Sequence, residues 1–200
     1  AGIATLIDIT ERKQREEEIR RARDDLEIRV AGRTTELRRA KELLEEEISV
    51  RNRTERVITA RLRLLEFAAT HSMDALLEAT LDEAEALTDS LIGFYHFLDA
   101  DQKTLSLQNW STRTKAEFCR AEGKGHSYDL SAAGVWVDCI HERRPVIHND
   151  YASLSHRGGM PPYHARLERE LVVPVFRGDA VVAILGVGNK PRDYTSEDVE

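Results

Sequence analysis

Cys139 and His141 form the first pair in the chain whose residue types could do chemistry. An imidazole beside a thiol can take its proton and leave a nucleophilic thiolate. Two apart on a helix, however, they point to different faces, so the spacing argues against a dyad. Cys139 reads instead as a small core residue. His126, His148, His156 and His164 fall in or near expected loops and could supply a haem or metal ligand. With seven histidines in 200 residues, no metal site is assigned. Gly186 and Gly188 could open a phosphate cradle, which needs glycines between a strand and a helix N-terminus. No third glycine follows, and Asp193 would repel a phosphate. These glycines are read as letting a strand pack closely or bulge.

A second set of residues could enclose a small molecule. Trp110, Tyr128 and Trp136 would supply aromatic walls, and Asn149, Asp150, Tyr151, His164 and Glu170 polar contacts. Each also has an ordinary structural reading: Trp136 as core, Asn149 and Asp150 as a turn, Glu170 paired with an arginine.

The elements that must position these residues come in two stretches of different composition. The chain is 41% hydrophobic, 32% charged and only 6% aromatic, with a net charge of −7. Residues 11–70 hold 16 Lys and Arg against 14 Asp and Glu, and the remainder 13 against 22. Neither stretch offers a basic face for nucleic acid. No run of about 18 apolar residues exists to span a membrane, and no signal peptide is visible. Two cysteines without metal spacing fit a reducing cytoplasm.

From Thr10 to about Thr70 there is no proline and one glycine, Gly32. Asp8 or Thr10 can cap a helix there. Apolar residues recur at Ile19, Ala22, Leu26, Val30, Leu37, Ala40, Leu44, Ile48, Ile58, Leu62 and Leu65. Arg33, Arg51 and Glu55 occupy intervening seam positions. Steps of three and four on a charged helix are the pattern of a coiled coil. Consecutive steps of four at 22, 26, 30 and at 40, 44, 48 are stutters that locally unwind a supercoil. Such a narrow stripe requires a partner, and the expectation is a parallel homodimer through residues 15–65. Sixty helical residues would extend roughly 90 Å.

The second stretch alternates. Ser72 can cap a helix over MDALLEATLDEAEAL. LIGFYHFLDA and TLSLQNWS read as a hairpin, SAAGVWVDCIHERR as a helix stopped by Pro145, and PVIHND as a strand. Residues 112–121 suit a short helix and 151–167 a long loop. ELVVPVF and AVVAILGVG form a second hairpin around Gly178. The expected fold class is α+β: a long coiled-coil helix, then an antiparallel sheet with its helices on one side. The sheet's concave face, the helix at 131–144 and the loop at 151–167 would enclose the pocket.

Several stretches resemble known families. IDITERKQREEEIR resembles the last strand and exit of a PAS sensor domain, and LEIRVAGRTTELRRAKELLEEEI the coiled linker between sensory modules of bacterial sensor kinases. The element order, with PVIHND, ELVVPVF and GNKPRDYTSED, resembles a GAF domain over about residues 57–200. The resemblance implies a chain cut from something longer. Residues 1–10 would end a PAS domain, 11–70 form a signalling helix, and 71–200 form a GAF domain whose last helix is truncated.

Cyclic-nucleotide GAF domains carry Asn-Lys, an aromatic and an acidic pair. Here Asn189, Lys190, Tyr194 and Asp198 match, with Tyr in place of Phe and Val199 in place of Glu. The resemblance implies an ion pair of Lys190 with Asp198 that closes the fold, and it does not establish cyclic-nucleotide binding. Bilin-binding GAF domains use adjacent Cys-His, from which Cys139 and His141 depart. His141-Glu-Arg-Arg-Pro145 resembles the phosphoacceptor box of histidine kinases, but has two residues rather than three between Glu and Pro, and no ATP-binding glycine boxes follow.

The function these resemblances imply is a non-catalytic sensory relay in a two-component sensor histidine kinase. An unknown small molecule would bind, and an output domain would follow in the same chain. The parent would be cytoplasmic or membrane-anchored elsewhere. The alternatives are the sensory region of a diguanylate cyclase or phosphodiesterase, or a GAF-fold redox enzyme.

Overall fold

The computed structural model describes residues 10–118, 126–158 and 166–200. The PAS-like residues 1–9, Cys119 and His164 lie outside them. The chain divides into two compact units, one ending at Glu55 and one spanning Arg56–Glu200.

Helix α1 runs Thr10–Ala68, 59 residues. In the first unit its surface is laced with ion pairs one turn apart, among them Arg12–Glu16 at 2.9 Å, Arg23–Glu27 at 2.9 Å and Arg29–Asp25 at 2.9 Å. Each is solvated and worth about 0.3–0.5 kcal/mol. No described residue before Ala60 is buried.

The second unit begins with the last turns of α1. Ala60 is buried there, while Val57, Leu64 and Phe67 are partly so. Arg56 Nη donates to the Ala86 carbonyl at 2.8 Å, and Arg63 pairs with Glu83 at 3.5 Å. Helix α2, Met73–Thr88, starts at Ser72, whose hydroxyl accepts from the Ala75 N–H, and ends at Asp89 with φ 56°.

Strands β1 (Ile92–Leu98), β2 (Thr104–Trp110), β3 (Ser127–Asp129), β4 (Val146–His148), β5 (Glu170–Arg177) and β6 (Ala180–Gly188) form one sheet in the order β3-β2-β1-β6-β5-β4. Every pairing is antiparallel. The β1–β2 turn is set by Asp101, whose Oδ1 accepts from the Lys103 and Thr104 N–H groups. The β5–β6 turn holds Gly178 at φ +60°, a conformation that favours glycine. Helices α3 (Asp138–Glu142) and α4 (Ser196–Val199) belong to the same unit, as does a π-helical turn at Thr114–Phe118, within the short helix expected at 112–121.

The sheet is covered on both faces, not on one as the element order suggested. Helix α2 packs against β1, β2 and β6, while α3 packs against β5 and β6. Phe94, Val172 and Ile184 face Trp136, Val137 and Cys139 in one core layer. Leu171, Val187 and Tyr194 pack with Ala84 of α2 on the other. The cause is visible in β1 and β6, whose IGFYHFL and AVVAILGVG are apolar at almost every position. A strand apolar on both sides must be covered on both sides.

The segment 131–144 is also not one helix. It holds short 3-10 turns at Leu130–Ala132 and Val135–Val137, and then α3. Gly134 is extended between them, and a Cβ there would strike the Gly158 carbonyl and the Trp136 ring.

Candidate functional site

The site grows from the edge pairing of β4 with β5. That register sets His148 opposite Glu170, and Glu170 opposite Gly188 of β6. By alternation along β5, Glu170 shares the α3 face with Val172. Glu170 is fully buried, and its Oε1 meets His148 Nδ1 at 2.9 Å. His148 Nε2 lies 3.3 Å from Asp138 Oδ2, at the start of α3. Asp138 also holds His156 Nε2 at 2.9 Å. Side-chain exposure climbs along this chain from 0% at Glu170 through 13% at His148 and 20% at Asp138 to 58% at His156.

The hydrogen bond that His148 Nδ1 makes to the Glu170 carboxylate raises the pKa of His148, against the effect of burial, so the imidazolium is favoured. Burial raises that of Glu170, and the His148 hydrogen bond partly offsets it. Burial first, then the charges of Glu170 and Asp138, push the Cys139 thiol up to about 12. Such a thiol stays protonated and inert. Burial and then the Glu170 charge raise the phenol of Tyr151.

The residues expected to line a pocket divide. Trp110 and Trp136 are core. The Trp136 Nε1–H donates to the Tyr128 hydroxyl at 3.1 Å, which ties the 3-10 turn to β3. Asn149 is occupied by backbone: its Oδ1 accepts from the Tyr194 N–H at 2.8 Å and its Nδ2 donates to the Tyr194 carbonyl at 3.0 Å. Asp150 is exposed at the start of a 3-10 turn. Tyr151 is buried beside Ile92, Val135 and Leu167. Glu170 pairs with a histidine rather than an arginine.

The 189–198 turn is a latch. Asn189, at φ 58°, accepts from the Glu168 N–H and donates to the Arg166 carbonyl, both at 2.8 Å. Lys190 Nζ meets Asp198 Oδ1 at 2.5 Å, with side chains 11% and 8% exposed. Asp198 Oδ2 accepts from the Thr195 N–H at 2.8 Å, completing a capping box on α4. The Tyr194 hydroxyl bonds Ser90 at 2.7 Å. Tyr194 packs in the layer of Leu171 and Val187, on the face away from Glu170.

Sequence reasoning missed two clusters. The joining of Asp138 to His148 and His156 depends on α3 meeting β4, and no spacing announces it. On the α2 face, Glu85 is buried, accepts from the Ser111 hydroxyl, and lines a charged cleft of about 750 Å³ with Asp82, Arg113, Lys190 and Arg192. Burial raises the Glu85 pKa. Glu85 is one of three glutamates in α2, and nothing in its spacing marks it out from Glu78 and Glu83.

A family model described as GAF domain matches residues 70–200. The methyl sulfide methyltransferase-associated sensor of Methanosarcina acetivorans is 36% identical over 136 residues. The match takes in 68% of this chain and 14% of that protein, so this chain corresponds to a small part of it. The GAF domain of an Acinetobacter phosphoenolpyruvate-protein phosphotransferase superposes with a TM-score of 0.58 at 19% identity, over 72% of this chain and 82% of that one. Its Coxiella burnetii counterpart gives 0.60 at 11% identity, over 74% and 85%. The GAF domain of a Bacillus halodurans two-component sensor histidine kinase gives 0.50 at 16% identity, over 64% and 84%. At these identities the superpositions speak for the fold.

Proposed function

We infer a sensory relay from the premise that this chain belongs to the GAF domain family, whose model spans residues 70–200. Residues 71–200 offer a small-molecule site. Residues 11–70 act as a coiled-coil signalling helix, and 1–10 end a preceding PAS domain. Two copies associate in parallel through residues 15–65. The change passes to an output domain of histidine kinase type elsewhere in a cytoplasmic parent, and this part of it is non-catalytic.

The observation that carries the reading is the stripe on α1. Ile19, Leu26, Val30, Leu37, Leu44 and Ile48 are 55–69% exposed. A long apolar row on a charged helix has no stable place except against another helix. The sensor in the name of the Methanosarcina relative and the sensor kinase source of the Bacillus domain support the same reading. A GAF-fold redox enzyme would need a reactive thiol, and Cys139, the one cysteine among the described residues, is buried with its thiol pushed up to about 12.

Light scattering at tens of micromolar tests the association. The expected mass is twice the 22.7 kDa of one chain. Leu37→Asp with Leu44→Asp places charges in the seam and is expected to give monomers. In the full-length parent the same pair is expected to abolish the difference in output with and without stimulus. A wild-type monomer, or a stimulus response unchanged by the substitutions, overturns the reading.

A further inference from the structure

Two buried groups on the α3 face have unmet hydrogen-bonding capacity. Glu170 Oε2 has no partner among the described residues, although Glu170 is 0% exposed. The Tyr151 hydroxyl has none either, at 7% exposure. The backbone brings the two segments together: the Tyr151 N–H donates to the Glu168 carbonyl at 3.0 Å, two residues before Glu170 on the lead into β5. The Glu170 charge also acts on the phenol of Tyr151. Nearly all buried polar atoms in folded proteins are partnered, and a bare carboxylate oxygen is among the most costly to leave.

The surrounding charges say what would complete them. Two carboxyl groups, Glu170 and Asp138, flank the single imidazole of His148, so acidic groups outnumber basic ones in the buried part of the cluster. His148 claims Oε1 and leaves Oε2 without a partner among the described residues. His156, which pairs with Asp138, and Arg157, whose charge acts on the Tyr151 phenol, are both exposed. Among the described residues, Ile92, Val135 and Leu167 pack around Tyr151. A carboxylate oxygen accepts only, a phenol both donates and accepts, and the apolar walls suit a short hydrocarbon body.

We propose that Glu170 and Tyr151 anchor a small primary ammonium compound, its N–H groups donating to Glu170 Oε2 and to the Tyr151 hydroxyl. His148 and Asp138 are positioning residues. The proposal rests on the sensory reading for the existence of a ligand, and it adds the chemical class and the two atoms that select it.

Three probes of one carbon skeleton test it on the whole 200-residue chain by calorimetric titration: isobutylammonium chloride, isobutanol and sodium isobutyrate. The ammonium is expected to bind at least about tenfold more tightly than the alcohol, and the carboxylate not at all, as a charge-assisted hydrogen bond requires. Glu170→Gln is expected to weaken the ammonium about tenfold or more while leaving the alcohol unchanged, a split that a merely structural role would not produce. Tyr151→Phe, which removes only the hydroxyl, serves as the second variant should Glu170→Gln fail to fold, and is expected to weaken the ammonium severalfold. His156→Ala is expected to change it by less than about twofold.

Equal binding of the three probes, or ammonium binding untouched by both Glu170→Gln and Tyr151→Phe, overturns the proposal. So does binding of none, which would mean that buried water completes these groups. None of these results touches the seam on α1, so the relay reading stands or falls separately on the mass and output of the Leu37→Asp, Leu44→Asp protein.

Discussion

At the scale of single residues, His148 is where protonation meets stability. Its pKa is raised in the folded chain, first by the Glu170 hydrogen bond. A raised value means that the folded state holds the proton more tightly than the unfolded chain does. The stabilisation is therefore complete below the ordinary histidine value of about 6.5 and is lost as pH rises through the folded value. Burial raises Glu170 as well, so its contribution changes in the same direction as pH rises. The expected outcome is a stability advantage of wild type over His148→Gln that is largest in mild acid and shrinks towards alkaline pH. Chemical denaturation at a series of pH values measures it. An advantage that grows with pH would mean that His148 is neutral in the fold. None of this was legible from residue types: Glu170 and His148 are 22 positions apart, and only the β4–β5 register sets them opposite each other. Asn149 looked like a ligand contact because its side chain is versatile, and the fold spends it on the Tyr194 backbone instead.

Among the elements, the 189–198 latch carries a sharper consequence than its size suggests. It joins the end of β6 to α4 through Lys190 and Asp198, which are almost buried. It also joins β6 to the approach to β5 through Asn189. Lys190→Ala leaves the Asp198 carboxylate without its cation, at a cost of about 3 kcal/mol for a buried pair against under about 1 kcal/mol for an exposed one. For a unit of this size, that lowers the melting temperature by about 10 °C. A thermal melt unmoved by the substitution would show the latch to be solvated. The longer elements were legible because their signals are local. The hairpins announce themselves by alternation and turn residues around Asp101 and Gly178. Strand β3 spans three residues, Ser127–Asp129, too few for alternation to register. The helix expected at 131–144 broke at Gly134, where the backbone of Gly158 comes too close for any side chain. That approach is a tertiary fact, and the apolar spacing of GVWVDCI could not contain it.

On the scale of the whole molecule, the question is whether α1 transmits or merely connects. Its last turns in the second unit have two apolar faces. Ala60 is buried, with Val57, Leu64 and Phe67 partly so, while Ile58, Leu62 and Leu65 are 51%, 56% and 69% exposed. The exposed row keeps the sequence step of Leu44 and Ile48 and is the one left for the proposed partner helix, while Arg56 and Arg63 tie these same turns to α2 through Ala86 and Glu83. A relay needs two packings of that seam separated by only a few kcal/mol. Gly32, Arg33 and the stutters near residues 26 and 44 supply the irregularities from which a second packing can arise. A Cβ at Gly32 would meet nothing within 4 Å in a single chain, so Gly32→Ala is tolerated. It is expected to stabilise the helix by about 1 kcal/mol and so favour one packing. In the full-length parent, output with and without stimulus is expected to converge in Gly32→Ala, and likewise when a deletion near residue 44 restores regular steps. If both proteins respond to stimulus as the wild type does, α1 is a spacer, and the signal must leave the second unit by another element.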